Sequence, residues 1–147
     1  MTMKIAIAGS SGRMGRMLIE NIMNSSDATL AVALVRRGSD AIGCDATAYT
    51  GKPCGVLITD QLDALKNADV LIDFTRPEGT LEHLAVCQQY GVKMIIGTTG
   101  FDEAGRAAIA AASEKIAIVS AYNMSVGVNL VFKLLEIAAG VLNQGYD

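Results

Sequence analysis

Gly9, Gly12 and Gly15 stand at three-residue spacing directly after the run Lys4-Ile5-Ala6-Ile7-Ala8. Glycines at a strand-to-helix junction suit one chemistry well, the backbone cradling of a pyrophosphate. Gly9 would allow the tight turn, Gly12 the close approach of the anion, and Gly15 the close packing of helix on strand. The helix start then offers unpaired N–H groups and a partial positive charge. The full segment is Gly9-Ser10-Ser11-Gly12-Arg13-Met14-Gly15, a GxxGxxG spacing in which Ser11 occupies the usual middle-glycine position of GxGxxG.

A dinucleotide site normally carries an acid at the end of the second strand, to hold the adenosine ribose hydroxyls. Here that position reads Val35-Arg36-Arg37. Guanidinium groups match a phosphate in charge and geometry. The sequence therefore predicts a cofactor with a 2′-phosphate, NADPH in preference to NADH.

Three later segments place small and hydroxyl-bearing residues after apolar runs. They are Phe74-Thr75-Arg76-Pro77-Glu78-Gly79, Gly97-Thr98-Thr99-Gly100-Phe101, and Ala121-Tyr122-Asn123-Met124-Ser125-Val126-Gly127-Val128-Asn129. The carboxyl ends of strands in an open parallel sheet are where ligands bind. Such residues suit the hydrogen bonds of a nicotinamide ribose and carboxamide. Other chemistries fail. Gly51-Lys52 is followed by Pro53 and lacks the earlier glycine of a phosphate loop. No tyrosine is followed four residues on by lysine, as short-chain dehydrogenase catalysis requires. Cys44, Cys54, Cys87 and the single His83 do not form paired zinc-ligand spacings. His83, beside Glu82, reads as a surface helix histidine, and Cys87, among Leu84, Ala85 and Val86, as a core thiol.

These residues need a scaffold, and the apolar pattern predicts one. Strands are expected at 4–8, 30–35, 70–74, 93–97 and 116–120, with a short apolar segment at 56–58. Helices are expected at 12–24, 60–67, 77–90, 102–113 and 125–142. Pro77 suits a helical first turn. A polar, glycine-rich stretch covers 36–55. Continuous apolar strands alternating with helices predict an α/β fold, a Rossmann-like parallel sheet with helices on both faces. Residues 1–125 read as the dinucleotide-binding domain and 126–147 as the first helix of a second, truncated domain.

Composition agrees. The chain has 147 residues, 51% hydrophobic and 18% charged, with net charge −3. That is too apolar for disorder and too acidic for general nucleic-acid binding. No apolar run reaches a membrane-span length of about 20 residues, and the start does not resemble a signal peptide. An odd set of unspaced cysteines predicts a reduced, cytoplasmic protein.

In joint order and spacing, the glycine segment, Asp73-Phe74-Thr75-Arg76-Pro77-Glu78-Gly79, Gly97 to Phe101 and Asn123 to Asn129 resemble the N-terminal part of the 4-hydroxy-tetrahydrodipicolinate reductases of lysine and diaminopimelate biosynthesis. The resemblance runs from about Lys4 to the end. It implies that Gly9, Ser10, Ser11, Gly12, Arg13 and Met14 hold the pyrophosphate and Arg36 meets the 2′-phosphate. It implies that Phe74 and Thr75 flank the cofactor, that Gly97, Thr98 and Thr99 seat the nicotinamide, and that Thr99 touches substrate. Ala121, Tyr122, Asn123 and Met124 would form the hinge side of the pocket. Family members that use NADH well carry an acid where Val35 stands. The resemblance also implies a cyclic dicarboxylate substrate, a homotetramer, and a catalytic histidine and lysine in a second domain beyond residue 147. On this reading the chain is a fragment that binds NADPH, and NADH less well, without turnover. A non-catalytic nucleotide sensor, and another two-domain dehydrogenase acting on an aldehyde or amino acid, are the rival readings.

Overall fold

The computed structural model describes residues 2–143 and 145. Six strands form one sheet: β1 (Met3–Ala8), β2 (Ala28–Leu34), β3 (Ile58–Thr59), β4 (Val70–Asp73), β5 (Lys93–Ile96) and β6 (Ile118–Ser120). Their spatial order is β3-β2-β1-β4-β5-β6, and every neighbouring pair is parallel. This is the doubly wound Rossmann order, with its reversal point between β1 and β4. Four α-helices connect or follow the strands: α1 (Arg13–Met23), α2 (Pro77–Tyr90), α3 (Glu103–Ser113) and α4 (Val126–Val141).

The two faces are covered differently. Ile19 and Ile22 of α1 pack with Ile7, Leu30, Ala33 and Ile58 on one face. Leu84 and Cys87 of α2 and Ala112 of α3 pack with Ala6, Leu34, Leu71, Met94 and Ile96 on the other. β1 and β2 thus send alternate side chains into opposite cores, which is why their sequences are continuously apolar. On the α1 side, coverage stops near β4. Ile72, Ile95 and Val119 lie in register across β4, β5 and β6, and Val119 is 59% exposed.

The expected helix at 60–67 is a shorter 3-10 helix over Leu62–Asn67. The Thr59 hydroxyl accepts from the Gln61 N–H at 3.1 Å, turning the chain before a helix begins. Six residues are also too few for the α form to propagate well. The last strand starts at Ile118 rather than 116, because the Ile116 N–H still bonds Ala112 O at the end of α3. The 36–55 stretch is built around one carboxylate. Asp45 Oδ1 accepts from the N–H groups of Thr47 (2.9 Å) and Cys54 (3.1 Å), and Oδ2 from Gly55 N–H (2.7 Å). The Thr47 backbone bond, then that of Cys54, holds the Asp45 carboxyl well below the usual carboxylate range.

Helix α4 has no buried residue. Leu130, Phe132, Leu134, Leu135 and Ile137 are each more than half exposed. Its start is nonetheless well made, with Ser125 Oγ accepting from Val128 N–H and Asn129 Nδ2 donating to the Asn123 and Ser125 carbonyls. Gln144, Tyr146 and Asp147, the end of the segment read as opening a second domain, lie outside the described residues.

Candidate dinucleotide site

The sheet order sets the turn after β1, the end of β2, and the ends of β4, β5 and β6 along one edge. Gly9 has φ +70°, a left-handed conformation that glycine adopts without strain. The Gly12 N–H closes the turn on Gly9 O at 2.9 Å. A Cβ at Gly15 would lie 2.2 Å from Gly9 O and 2.8 Å from Ser10 Cα, so helix and turn meet backbone to backbone. No side chain caps α1, and no acid stands in its first turn.

This leaves a defined set of donors. Ser10 N–H is bonded to Leu34 O at 2.9 Å, and its hydroxyl is buried without a partner among the described residues. Ser10 and Gly12 thus already use their N–H groups inside the protein, whereas Ser11, Arg13 and Met14 lie exposed at the uncapped helix start. A tight glycine turn leading into an uncapped, acid-free helix N-terminus fits a diphosphate. Arg36 and Arg37 are exposed just past β2, and neither makes an ion pair among the described residues. Val35 points into the core instead.

On the other side of the reversal point, Phe74 lies across Gly97. A Cβ there would fall 2.0 Å from the Phe74 ring, so only glycine admits the ring in that place. Thr75 reaches back to the first turn, where a Cβ at Gly9 would lie 3.2 Å from its methyl. Thr98 is buried and Thr99 exposed. Tyr122, Asn123 and Met124 are exposed beyond β6, with Tyr122 at 82%. Asn123 Oδ1 accepts from Ser125 N–H at 2.8 Å, so its side chain serves the entry into α4 in this structure. Ala121 and Tyr122 border a hollow of about 310 Å³ between β6 and α3, together with Thr98, Phe101 and Arg106.

Behind these loops lies a polar cluster not expected from the sequence. Asp73 is fully buried. It accepts from Thr75 N–H (3.0 Å), Thr75 Oγ1 (2.6 Å), Thr98 Oγ1 (3.3 Å) and His83 Nδ1 (2.7 Å). Thr80, also buried, donates to Thr98 Oγ1 at 2.9 Å. His83 is therefore not a surface histidine; its side chain is only 12% exposed and sits on the inner side of α2. The missed signal was periodic. Thr80, His83, Leu84 and Cys87 follow the i, i+3, i+4, i+7 stripe of a buried helix face, but two of the four are polar. Cys87 is a core thiol as expected, pushed up to about 12 by burial and then by the Asp73 charge. Among the described residues no group of His, Cys, Asp and Glu is arranged to hold a metal ion.

Residues 3–124 match the family model described as "Dihydrodipicolinate reductase, N-terminus". The 4-hydroxy-tetrahydrodipicolinate reductases of Bordetella parapertussis and Herminiimonas arsenicoxydans are 65% and 66% identical to the chain, over 98% and 99% of its length. The chain spans 54% of each of those proteins. Among solved structures, a dipicolinate-bound dihydrodipicolinate reductase from Paenisporosarcina sp. TG-14 superposes with TM-score 0.74 at 29% identity, covering 95% of this chain and 54% of that one. The chain belongs to the dihydrodipicolinate reductase family and matches its N-terminal part.

Proposed function

We propose that the chain is the cofactor-binding part of an NAD(P)H-dependent 4-hydroxy-tetrahydrodipicolinate reductase, and that it prefers NADPH. The observation that carries this reading is the glycine turn opening an uncapped helix at the sheet's reversal point, with Arg36, which has no ion pair among the described residues, one strand away. Gly9 to Met14 bind the diphosphate, the exposed N–H groups of Ser11, Arg13 and Met14 facing it. Arg36 binds the 2′-phosphate. Phe74 and Thr75 flank the cofactor, and Gly97, Thr98 and Thr99 receive its nicotinamide end, with Ala121 to Met124 closing the far side. Thr99, exposed beside that end, contacts the substrate. When bound, the nicotinamide supplies a hydride; the protein orients it and excludes water.

The substrate is a cyclic dicarboxylate, in keeping with the dipicolinate bound to the Paenisporosarcina protein. Residues 1–125 form the nucleotide unit, and 126–147 begin a second domain, supported by the exposed apolar face of α4. The proton donor that reduction needs is supplied outside these residues. The homotetramer and the cytoplasmic location rest on the family resemblance. No helix among the described residues is long and apolar enough to cross a membrane.

Substitution of Arg36 tests the preference. A charge-assisted phosphate contact contributes about 1.5–3 kcal/mol. Arg36→Ala should therefore weaken NADPH by about tenfold or more and leave NADH within about twofold. Equal losses for both cofactors would remove Arg36 from the 2′-phosphate.

A further inference from the structure

We propose that His83, acting through the buried Asp73 carboxylate, is a positioning residue for the dinucleotide site. The inference rests on the cofactor-binding reading above and adds a residue to it. Three separate segments must keep a fixed spacing for one extended ligand to bridge them: the turn at Gly9, the end of β4 and the end of β5. Thr75 and Thr98 join all three. The Thr75 methyl packs on Gly9, and the Thr75 N–H also donates to Thr98 Oγ1 at 2.9 Å.

Counting protons gives the cluster one direction. Each hydroxyl has one proton. Thr80 gives its proton to Thr98, while Thr98 and Thr75 give theirs to Asp73. Every chain ends on Asp73, which only accepts. Asp73 Oδ1 serves Thr75 and Thr98, so Oδ2 is left to His83, whose Nδ1 lies 2.7 Å away. A buried carboxylate needs such a partner to keep its place. Without it, Asp73 would draw in water or turn, and Thr75 and Thr98 would lose their common acceptor. His83 itself is held within α2, which is fixed by the packing of Leu84 and Cys87 against the sheet. It thereby ties the loop ends to a rigid helix.

His83 is the single histidine of the chain, so its ring signals need no assignment. The experiment compares the 147-residue chain with His83→Ala and His83→Asn, in which the asparagine amide keeps a donor near the place of Nδ1. It measures NADPH affinity by calorimetry, thermal midpoints without ligand, and amide NMR signals of Thr75 and Thr98. The expected result is an affinity loss of about tenfold in His83→Ala, with the Thr75 and Thr98 signals displaced and with recovery in His83→Asn to within about threefold. NADPH-saturated His83→Ala that matches the parent in affinity overturns the proposal. So do Thr75 and Thr98 signals that stay in place, or loss of affinity with no recovery in His83→Asn. If His83→Ala does not fold, ring nitrogen shifts of the unaltered chain decide: a spectrum in which Nδ1 carries no proton, and so donates nothing to Asp73, overturns the proposal. An unaltered chain that binds no NADPH refutes the cofactor reading instead, and the ligand-free Thr75 and Thr98 signals still judge the His83–Asp73 link.

Discussion

Gly15 is the residue at which the site tolerates least. Its absent Cβ leaves room for Gly9 O and Ser10 Cα, and neither is the movable end of a side chain. Gly15→Ala should displace α1 from the turn, lower stability by about 1–3 kcal/mol and abolish NADPH binding; chemical denaturation and calorimetry check the two parts. The cysteines separate by environment at the same scale. Cys44 is exposed, whereas Cys87 is buried and its thiol raised to about 12. A thiol reagent such as DTNB at pH 8 should modify Cys44 in the native protein and reach Cys87 only after denaturant is added. Fast native modification of Cys87 would contradict the packing of α2. Asp45 makes a pH prediction. Its folded-state value lies below the unfolded one of about 3.9. The stability it contributes is therefore present above about pH 4–5 and is lost as acid protonates it. Asp45→Asn should melt earlier than the parent at pH 7, and the gap should close toward pH 2 in a series of thermal scans.

At the scale of elements, period and punctuation made most of the architecture legible. The apolar runs at 4–8, 70–74 and 93–97 became β1, β4 and β5, and in β1, buried on both faces, no polar alternation is needed. Pro77 and the left-handed Gly91 bracket α2 as their backbone preferences require. Polar groups that satisfy one another inside the fold were not legible. Asp73, Thr80, Thr98 and His83 look like surface residues one at a time, and only the topology brings them within hydrogen-bond reach. The Asp45-centred loop was equally hidden, since its donors come from residues up to ten positions away. Helix α4 gives the test at this scale. None of its residues is buried, so it contributes nothing to the sheet's core. A chain ending at residue 125 should unfold within about 2 °C of the full chain, since a change below about 0.5 kcal/mol moves the midpoint little. A large drop would mean that α4 packs on the domain.

For the whole molecule, the exposed apolar residues of α4 and the exposed Val119 of β6 are surfaces that a longer protein or a partner would cover. The chain spans about half the length of the curated relatives it matches, in keeping with that geometry. On its own it should self-associate with rising concentration in sedimentation velocity, and Leu134→Glu with Leu135→Glu on α4 should suppress this. The central claim concerns the edge of the sheet, where the glycine turn, Arg36, Thr75 and Thr98 form one dinucleotide site. Titration calorimetry of the 147-residue chain with NADPH and then with NADH tests it most directly. The account predicts saturable binding at one site, with NADPH the tighter by about tenfold. No binding of either nucleotide would contradict the site, and tighter binding of NADH would contradict the role given to Arg36.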